Sequence, residues 1–398
     1  MKTVVVPLGP FHPLLEEAEY FKLTVDGETV VDVDLKVGYM HRGIEKLSQS
    51  KTFDQVPFLV ERICGICSTS HPLAYVNAME DLLGVEPPER ALYVRTIIAE
   101  LERIHSHLLW VGLAGHFIGY DTVFMWAWRY REPVLDLFEL ISGNRNHYAM
   151  MKVGGVRRDI PEDTYPKITA TLDEVQKGTE LFIGAVMDDP VLHARTKGIG
   201  VLTPEAARAY GTLGPTVRGS GIPDDIRRDD PYAAYDRVEW KVCTWEGGDV
   251  FAKAAVRLLE LVESIKIIRQ CTAQMRPGAI DLDLQNIGPG EGIGHAEAPR
   301  GEVFHYVRSD GSSRPVRHKI RAPSLMNIPS FKATCIGQQV ADAALITAAV
   351  DPCYCCTERT MVAERDGDKV ILSGGDLVSM SRDKTARIRD GLGSVPPV

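Results

Sequence analysis

Two pairs of cysteines with CxxC spacing stand near opposite ends of the chain. Cys64 and Cys67 form the first pair, Cys353 and Cys356 form the second, and 285 residues lie between them. A CxxC turn presents two thiolates to one metal ion, so two such turns together offer a four-sulfur site. The knuckles of a zinc ribbon lie only about 15–20 residues apart. Spacing alone therefore leaves zinc and other metals equally open, and a shared site would tie both ends of the chain into one large domain.

Composition narrows the class of protein further. The chain has 398 residues, of which 44% are hydrophobic and 25% charged, and its net charge is −9. These values indicate a sizeable core and exclude a disordered or collagen-like chain, and the acidic balance argues against nucleic acid as a partner. The first residues do not resemble a signal peptide, and no apolar run reaches the roughly 18 residues of a membrane span. We expect a cytoplasmic protein whose eight cysteines are reduced or bind metal.

Hydrophobic periodicity predicts a mainly helical α+β fold, in which a bundle of long helices carries small β-sheets at its N terminus and periphery. An Asp-Gly turn at 26–27 predicts a hairpin between strands at 21–25 and 30–37. Apolar residues at helical spacing predict four long helices, and Gly- and Pro-rich sequence predicts loops and short strands before a last helix. The predicted helices start near 88 and span 122–142, 167–187 and 249–275; the loops span 277–329, with a strand at 302–308; the last helix spans 332–350.

We therefore expect a single domain over residues 1–359, followed by a tail. Its parts are a β-rich segment at 1–60, a helical core at 88–275, and loops with the second cysteine pair at 276–359. The tail at 360–398 contains an Asp-Gly-Asp turn between apolar stretches, which predicts a hairpin.

The residues around the cysteines carry a resemblance to a known family. The segments RICGICSTSHP (62–72) and DPCYCCTER (351–359) resemble the two cofactor signatures of [NiFe]-hydrogenase large subunits. Five further segments match the family in the same order, and several are most similar to its membrane-bound, energy-converting (group 4) branch, which is related to the 49 kDa subunit of respiratory complex I. They are GPFHP (9–13), HRGIE (41–45), ELERIHSHLLW (100–110), EAPRGE (297–302) and APSLMN (322–327).

The resemblance implies a nickel–iron centre bound by four thiolates. Cys64 and Cys353 would be terminal ligands of nickel, and Cys67 and Cys356 would bridge nickel to an iron that carries carbon monoxide and cyanide. Soft thiolates suit redox-active nickel, and the Cys353 thiolate can accept the proton released when H2 is split. We expect Cys355 to be a small buried residue without a ligand role. Three cysteines without partners at motif spacing are expected in the core: Cys243, Cys271 and Cys335.

The resemblance also implies groups around the metals. The guanidinium of Arg300 would lie over the centre, paired with Asp351, and would stabilise anionic ligands and bound substrate. Pro323 and Ser324 would pack against or hydrogen-bond a cyanide on the iron.

Two predictions concern acidic residues. Family position implies a proton-accepting glutamate at Glu16 or Glu17, and we assign Glu17; the alternative is that both are solvated surface acids. Glu45 resembles a glutamate that binds structural magnesium in other branches, but Arg359 stands where those branches have histidine, which argues against the metal. His105 and His107 point to different sides of a helix and cannot chelate one metal, so we expect them to contact neighbouring helices or a partner.

The resemblance implies partners and a location. The cysteines are too few for an additional iron–sulfur relay, so electrons would pass to a small subunit with a [4Fe–4S] cluster, then to a ferredoxin-like subunit and ferredoxin. Antiporter-like membrane subunits would hold the chain at the cytoplasmic face of the membrane and couple the reaction to ion translocation. Cleavage after Arg359, as in many relatives, would remove the tail; we expect the tail to be retained.

Three alternatives remain open. A complex-I-like subunit that helps to bind quinone would keep the fold but lose the cysteines, and a zinc-stabilised structural protein would contain zinc in their place. A relative that reduces sulfur compounds is expected to have an altered ligand set.

Overall fold

An N-terminal antiparallel sheet begins the fold in this computed structural model, which describes residues 3–12, 15–284, 287–357, 362–365, 368–371 and 374–392. Strands β1 (Val4–Leu8), β2 (Tyr20–Asp26) and β3 (Thr29–Lys36) lie in the order β1-β2-β3. Alternate residues of β2 are buried, as expected for a sheet with one face on a core. Phe21 packs edge-on against Phe331, with ring centroids 5.0 Å apart. The predicted hairpin is confirmed.

The segment from 37 to 86 is helical rather than β-rich. It contains α1 (Ile44–Ser48), α2 (Val56–Glu61) and α3 (Ser70–Leu83), so the predicted β-rich segment ends at Lys36 and not at residue 60. Helix α3 is buried on nearly all sides. It therefore lacks the polar stripe that marks a surface helix in sequence.

The four long helices are confirmed, with ends within a few residues of the prediction. A helix ends where the backbone leaves the right-handed helical conformation, and Gly143 ends the second of them in the left-handed conformation (φ 86°). The long helices are α4 (Glu89–Phe117), α5 (Asp121–Ser142), α6 (Tyr165–Asp188) and α11 (Val250–Gln274). Four short helices lie between α6 and α11: α7 (Pro190–Thr196), α8 (Pro204–Tyr210), α9 (Pro215–Arg218) and α10 (Ile226–Asp229).

A second three-stranded sheet packs against α3. It consists of β6 (Pro289–Ala298), β7 (Gly301–Asp310) and β8 (Arg317–Arg321). Two shorter strands, β4 (Met151–Lys152) and β5 (Gly155–Val156), pair with each other earlier in the chain. Strand β7 covers the strand predicted at 302–308, whereas β6 was predicted as loop. A Cβ at Gly294 would lie 2.2 Å from the Ala78 nitrogen, so glycine is needed for β6 to reach the backbone of α3.

The predicted helix at 332–350 is divided. After α12 (Pro323–Asn327), the chain forms α13 (Phe331–Cys335) and α14 (Ala343–Val350), separated by a turn at Gly337 with φ 86°. The Gly337 N–H donates to the carbonyl of Val30 in the N-terminal sheet. The single predicted helix was wrong because this contact takes backbone groups that a continuous helix would use.

The tail forms a hairpin and a helix. Strands β9 (Val362–Arg365) and β10 (Asp368–Ile371) pair antiparallel, as predicted, and α15 (Gly374–Leu392) follows. The turn at 366–367 and Arg359 lie outside the described residues. Within the described part of the chain, no helix is both long enough and apolar enough to cross a membrane.

Candidate metal centre

Four buried thiols meet at the centre of the fold. The sulfur atoms of Cys64, Cys353, Cys355 and Cys356 all lie within 4.8 Å of one another. Cys353 Sγ is 3.0 Å from the sulfurs of Cys64 and Cys356 and 3.3 Å from that of Cys355. None of these cysteines is in a disulfide. The two ends of the chain thus meet at a compact sulfur site, and its donor set fits a soft transition metal.

The first cysteine turn is held by a carboxylate from the longest helix. Residues 64–67 connect α2 to α3, and the Cys67 N–H points at Cys64 Sγ, 3.3 Å away. Glu102 of α4 accepts hydrogen bonds from the N–H groups of Thr69 and Ser70 at the start of α3. A carboxylate at a helix N terminus satisfies otherwise unpaired donors. Glu102 therefore fixes the position of α3 directly after the turn.

The second turn begins where α14 stops. Asp351 adopts φ 56° there, and Pro352 prevents the helix from continuing. The Cys353 N–H donates to Ser324 Oγ at 2.9 Å, and Pro323 opens α12 beside it. Ser324 therefore holds the backbone of one cysteine. The proposed contact of Pro323 and Ser324 with an iron ligand stays a prediction.

Arg300 connects the remaining cysteine to Asp351. Its Nη2 lies 2.6 Å from Asp351 Oδ1, and its Nη1 lies 3.7 Å from Cys67 Sγ and 3.2 Å from Ser106 Oγ. The expected Arg300–Asp351 pair is present, and Arg257 approaches the other carboxylate oxygen at 3.8 Å. Burial disfavours charge on Arg300, but Asp351 and the thiols raise its pKa well above the usual value. A permanent cation therefore lies against the thiols.

Contacts among the thiols shift the pKa values of Cys64 and Cys353 in opposite directions. Cys353, followed by the other thiols, donates to Cys64 and holds its pKa well below the ordinary value. The pKa of Cys353 is raised well above its usual range, first by its contact with Cys355. These contacts favour the thiolate form of Cys64, and a bound cation would favour the thiolate form of the other cysteines.

A cavity of about 430 Å³ opens beside the thiols. Cys64, Cys353, Arg300, Glu16 and Glu17 contribute to its lining. Glu17 Oε2 accepts a hydrogen bond from the Cys355 N–H at 2.6 Å. The cavity walls remove solvent and raise the pKa of Glu16 to about 7, although its side chain is exposed at the surface, which weakens this shift. Both acids thus line the cavity beside the thiols, and the proton-accepting role of Glu17 stays a prediction.

Glu45 lies among cations instead of metal ligands. Its Oε1 accepts from Lys319 Nζ at 2.8 Å and from the Ile320 N–H, and its Oε2 lies 3.1 Å from Arg317 Nη2. Burial opposes the charge, but Lys319 and the Ile320 N–H lower the pKa of the carboxyl. Among the described residues, the only group of three or more metal-binding side chains is the thiol cluster. This environment does not fit Mg²⁺, which needs several oxygen ligands.

Two neighbours of the centre were missed from sequence, and a third lies closer to the predicted ligands than expected. Cys355 is buried as expected and its sulfur belongs to the tight group of four; that it is not a ligand stays a prediction. His71 Nε2 lies 3.6 Å from Cys356 Sγ; its place in the RICGICSTSHP segment was a signal that received no interpretation. Arg257 carries no motif that could have revealed it.

His105 and His107 contact different parts of the fold, and three cysteines lie in the core as predicted. His105 Nε2 contacts the Ile66 carbonyl at 3.2 Å and His107 Nε2 contacts Glu260 at 2.8 Å, so the two rings point to different elements. The remaining cysteines are buried in the core: Cys243, Cys271 and Cys335.

The fold and the site define a class of protein. Its members are mainly helical subunits in which two CxxC turns meet around a buried arginine. Two family models match it. "Respiratory-chain NADH dehydrogenase, 49 Kd subunit" matches residues 118–289 and 282–359, and "Nickel-dependent hydrogenase" matches residues 42–113.

Similar proteins point to the same family. The membrane-bound hydrogenase subunit alpha of Pyrococcus furiosus is 40% identical over 99% of this chain and 96% of its own length. The carbon monoxide-induced hydrogenase of Rhodospirillum rubrum is 40% identical over 90% of this chain and its full length. One subunit of the F420H2 dehydrogenase of Methanosarcina mazei is 38% identical over 88% of this chain and 96% of its own length.

A solved structure agrees with these matches. A chain of the membrane-bound sulfane sulfur reductase, an archaeal respiratory membrane complex, superposes with a TM-score of 0.85 at 31% identity, over 90% of this chain and 98% of that one. The chain belongs to the family of [NiFe]-hydrogenase large subunits, in the membrane-bound, energy-converting branch related to the complex I 49 kDa subunit.

Proposed function

We propose that this chain is the catalytic subunit of a membrane-bound, energy-converting [NiFe] hydrogenase. It would catalyse the reversible heterolytic oxidation of H2 and reduction of protons. The observation that carries the proposal is the buried meeting of both CxxC turns beside Arg300 and the cavity. Cys64, Cys67, Cys353 and Cys356 would hold nickel and iron, with carbon monoxide and cyanide on the iron.

The bound metals would supply the cleavage and formation of H2, and the residues around them would position charge and move protons. Arg300, which is 2% exposed, presents a fixed cation to the cavity and is oriented by Asp351. Such preorganised charge stabilises anionic groups without reorganisation during the reaction. Cys353 Sγ would accept the proton from H2 and pass it to the Glu17 carboxylate, which lines the same cavity.

Electrons would leave through other subunits. Among the described residues, the cysteines outside the centre are buried separately and form no second group of metal-binding side chains. We therefore propose a small subunit with a [4Fe–4S] cluster, a ferredoxin-like subunit and ferredoxin as the redox partners. Antiporter-like subunits would anchor the complex at the cytoplasmic face of the membrane and couple turnover to ion translocation.

A second candidate is reduction of a sulfur compound. The similar sulfane sulfur reductase chain favours it, as does the additional thiol of Cys355 in the cluster. The two candidates differ in substrate, so H2/D⁺ exchange in the absence of any electron carrier separates them.

The test uses the purified complex. We expect about one nickel and one iron at the centre per chain, beyond the iron of the partner clusters, together with H2/D⁺ exchange. Zinc in place of nickel would favour the structural alternative. A complex without either metal at this subunit would indicate the complex-I-like alternative, and nickel without exchange but with sulfur-reducing activity would favour the second candidate.

A further inference from the structure

The second cysteine turn carries one thiol more than its CxxC spacing requires. This additional thiol, Cys355, lies in a short 3₁₀ turn. Its sulfur belongs to a group of four that all lie within 4.8 Å of one another: Cys64, Cys353, Cys355 and Cys356. Cys67 is a predicted ligand of the nickel–iron centre but is not a member of this group. The described residues therefore hold four converging thiols that differ from the predicted ligand set at one position.

Hydrogen bonds to both of its backbone polar groups fix the position of Cys355. Its N–H donates to Glu17 Oε2 at 2.6 Å, and its carbonyl accepts from Arg42 Nη2 at 3.1 Å. The same Arg42 nitrogen donates to the carbonyl of Ile63 at 2.8 Å. Ile63 directly precedes Cys64, so Arg42 joins the backbones of the two cysteine turns. Contacts outside the thiol cluster thus place Cys355 beside Cys64.

The distances between the sulfurs suit a single tetrahedral metal ion. Zinc binds cysteine sulfur at about 2.3 Å in tetrahedral sites, which places any two of the four sulfurs about 3.8 Å apart. Cys353 Sγ lies 3.0 Å from the sulfurs of Cys64 and Cys356 and 3.3 Å from that of Cys355. These distances need to increase by less than about 1 Å to admit the ion. Small rotations of the side chains are sufficient for such a shift.

A nickel–iron centre and a single ion make different demands on the thiols. In the predicted nickel–iron centre, Cys67 and Cys356 bridge two metals. One tetrahedral ion instead needs four sulfurs around a single point. Cys67 Sγ is contacted by Arg300 Nη1 at 3.7 Å and stands outside the group of four. Cys355 supplies the fourth sulfur of a single-ion site in its place.

We infer that, before iron is bound, the chain holds one thiophilic divalent ion of the Zn²⁺ or Co²⁺ type through Cys64, Cys353, Cys355 and Cys356. Cys67 replaces Cys355 when the second metal enters, so Cys355 has no ligand role in the complete centre. The inference rests on the proposed function only for this replacement, since the single-ion site follows from the positions of the sulfurs. An ion bound in this way has to leave before nickel and iron can occupy the same sulfurs.

The test uses the full chain, produced without insertion of nickel and iron, and Co²⁺ as the probe. Co²⁺ occupies tetrahedral sulfur sites, and its sulfur-to-metal charge-transfer absorption grows with the number of sulfur ligands. Wild-type chain is compared with Cys355→Ser, Cys67→Ser and the control Cys243→Ser. Cys243 is a buried thiol that lies 3.9 Å from the Lys241 carbonyl, a contact that a serine hydroxyl can also make. Circular dichroism of each metal-free variant reports whether it folds.

We expect wild-type chain, Cys67→Ser and Cys243→Ser to bind one Co²⁺ each with the same affinity and charge-transfer intensity. Loss of a group that only supports a ligand already costs about 10–100-fold in metal affinity. Cys355→Ser should therefore bind at least about tenfold more weakly, with about three quarters of the wild-type intensity because one of four sulfurs is lost.

Three results would overturn the inference. They are weaker binding by Cys67→Ser, unchanged binding by Cys355→Ser, and a wild-type chain that binds no Co²⁺. If Cys355→Ser does not fold, Cys67→Ser decides alone, because the predicted ligand set requires a loss of binding there and the inferred set requires none.

Failure of the proposed function would look different. An assembled complex without nickel and without H2/D⁺ exchange would refute the nickel–iron centre, whatever the cobalt experiment shows. An assembled complex with both, together with Co²⁺ binding that depends on Cys67 and not on Cys355, would refute the single-ion site alone.

Discussion

Replacing Glu17 by glutamine separates proton transfer from assembly of the centre. The Glu17 carboxylate accepts the Cys355 N–H at 2.6 Å and lines the cavity beside Cys353 and Arg300. Glutamine has the same length, and its amide oxygen still accepts this hydrogen bond. Glu17→Gln therefore removes an exchangeable proton while preserving the contact that holds the second cysteine turn.

The contact and the chemistry predict effects of different size. A hydrogen bond to a charged group contributes about 1.5–3 kcal/mol and a neutral one about 0.5–1.5 kcal/mol. The substitution then costs on the order of 1 kcal/mol at this contact, which is small against a typical stability of about 5–15 kcal/mol. A positioned acid or base contributes about 10²–10⁴-fold to rate. Since Glu16 can replace part of this function, we expect about a tenfold or greater loss.

The assay is H2/D⁺ exchange by purified wild-type, Glu17→Gln and Glu16→Gln complexes, with nickel content measured in each. We expect Glu17→Gln to keep its nickel and lose exchange, and Glu16→Gln to be affected less. Slow exchange in Glu16→Gln with a wild-type rate in Glu17→Gln would assign the relay to Glu16 and refute this reasoning.

Three further predictions concern the ligands, the core and the tail. Single serine substitutions of the predicted ligands Cys64, Cys67, Cys353 and Cys356 should abolish hydrogenase activity and lower the nickel content. Cys355→Ser should retain most activity. Equal loss of activity in Cys355→Ser and Cys353→Ser would show that Cys355 is a ligand. Arg218→Met should destabilise the subunit by about 3–5 kcal/mol, because buried Arg218 lies 2.8 Å from both Glu260 and Glu297. Thermal unfolding of the complex tests this prediction, and a loss of stability in Arg218→Met no larger than that in the exposed control Arg228→Met would contradict it. Intact mass of the nickel-loaded subunit should correspond to all 398 residues, and a chain ending at Arg359 would show that the tail is removed.

Local sequence signals predicted the elements that are marked by a turn sequence or by regularly spaced apolar residues. The Asp26-Gly27 turn predicted the N-terminal hairpin, and apolar residues at helical spacing predicted α4, α5, α6 and α11. The CxxC pairs predicted the meeting of the two chain ends because a shared site needs both. These signals are local in sequence or belong to recognisable motifs.

Contacts between distant segments accounted for what the sequence did not reveal. Strand β6 was predicted as loop because of its glycines, which are required for its approach to α3. The turn at Gly337 depends on the edge of the N-terminal sheet. The contact of Arg257 with Asp351 depends on what lies across the fold from it, and Arg257 carries no motif in its own segment.

Infrared spectroscopy of the purified wild-type complex tests the central claim most directly. A nickel–iron centre on these thiols predicts carbon monoxide and cyanide stretches in a region where proteins do not absorb, and their loss together with nickel in Cys353→Ser. A complex that contains this subunit intact, carries zinc or no metal on the thiols, and shows neither stretch would contradict the account.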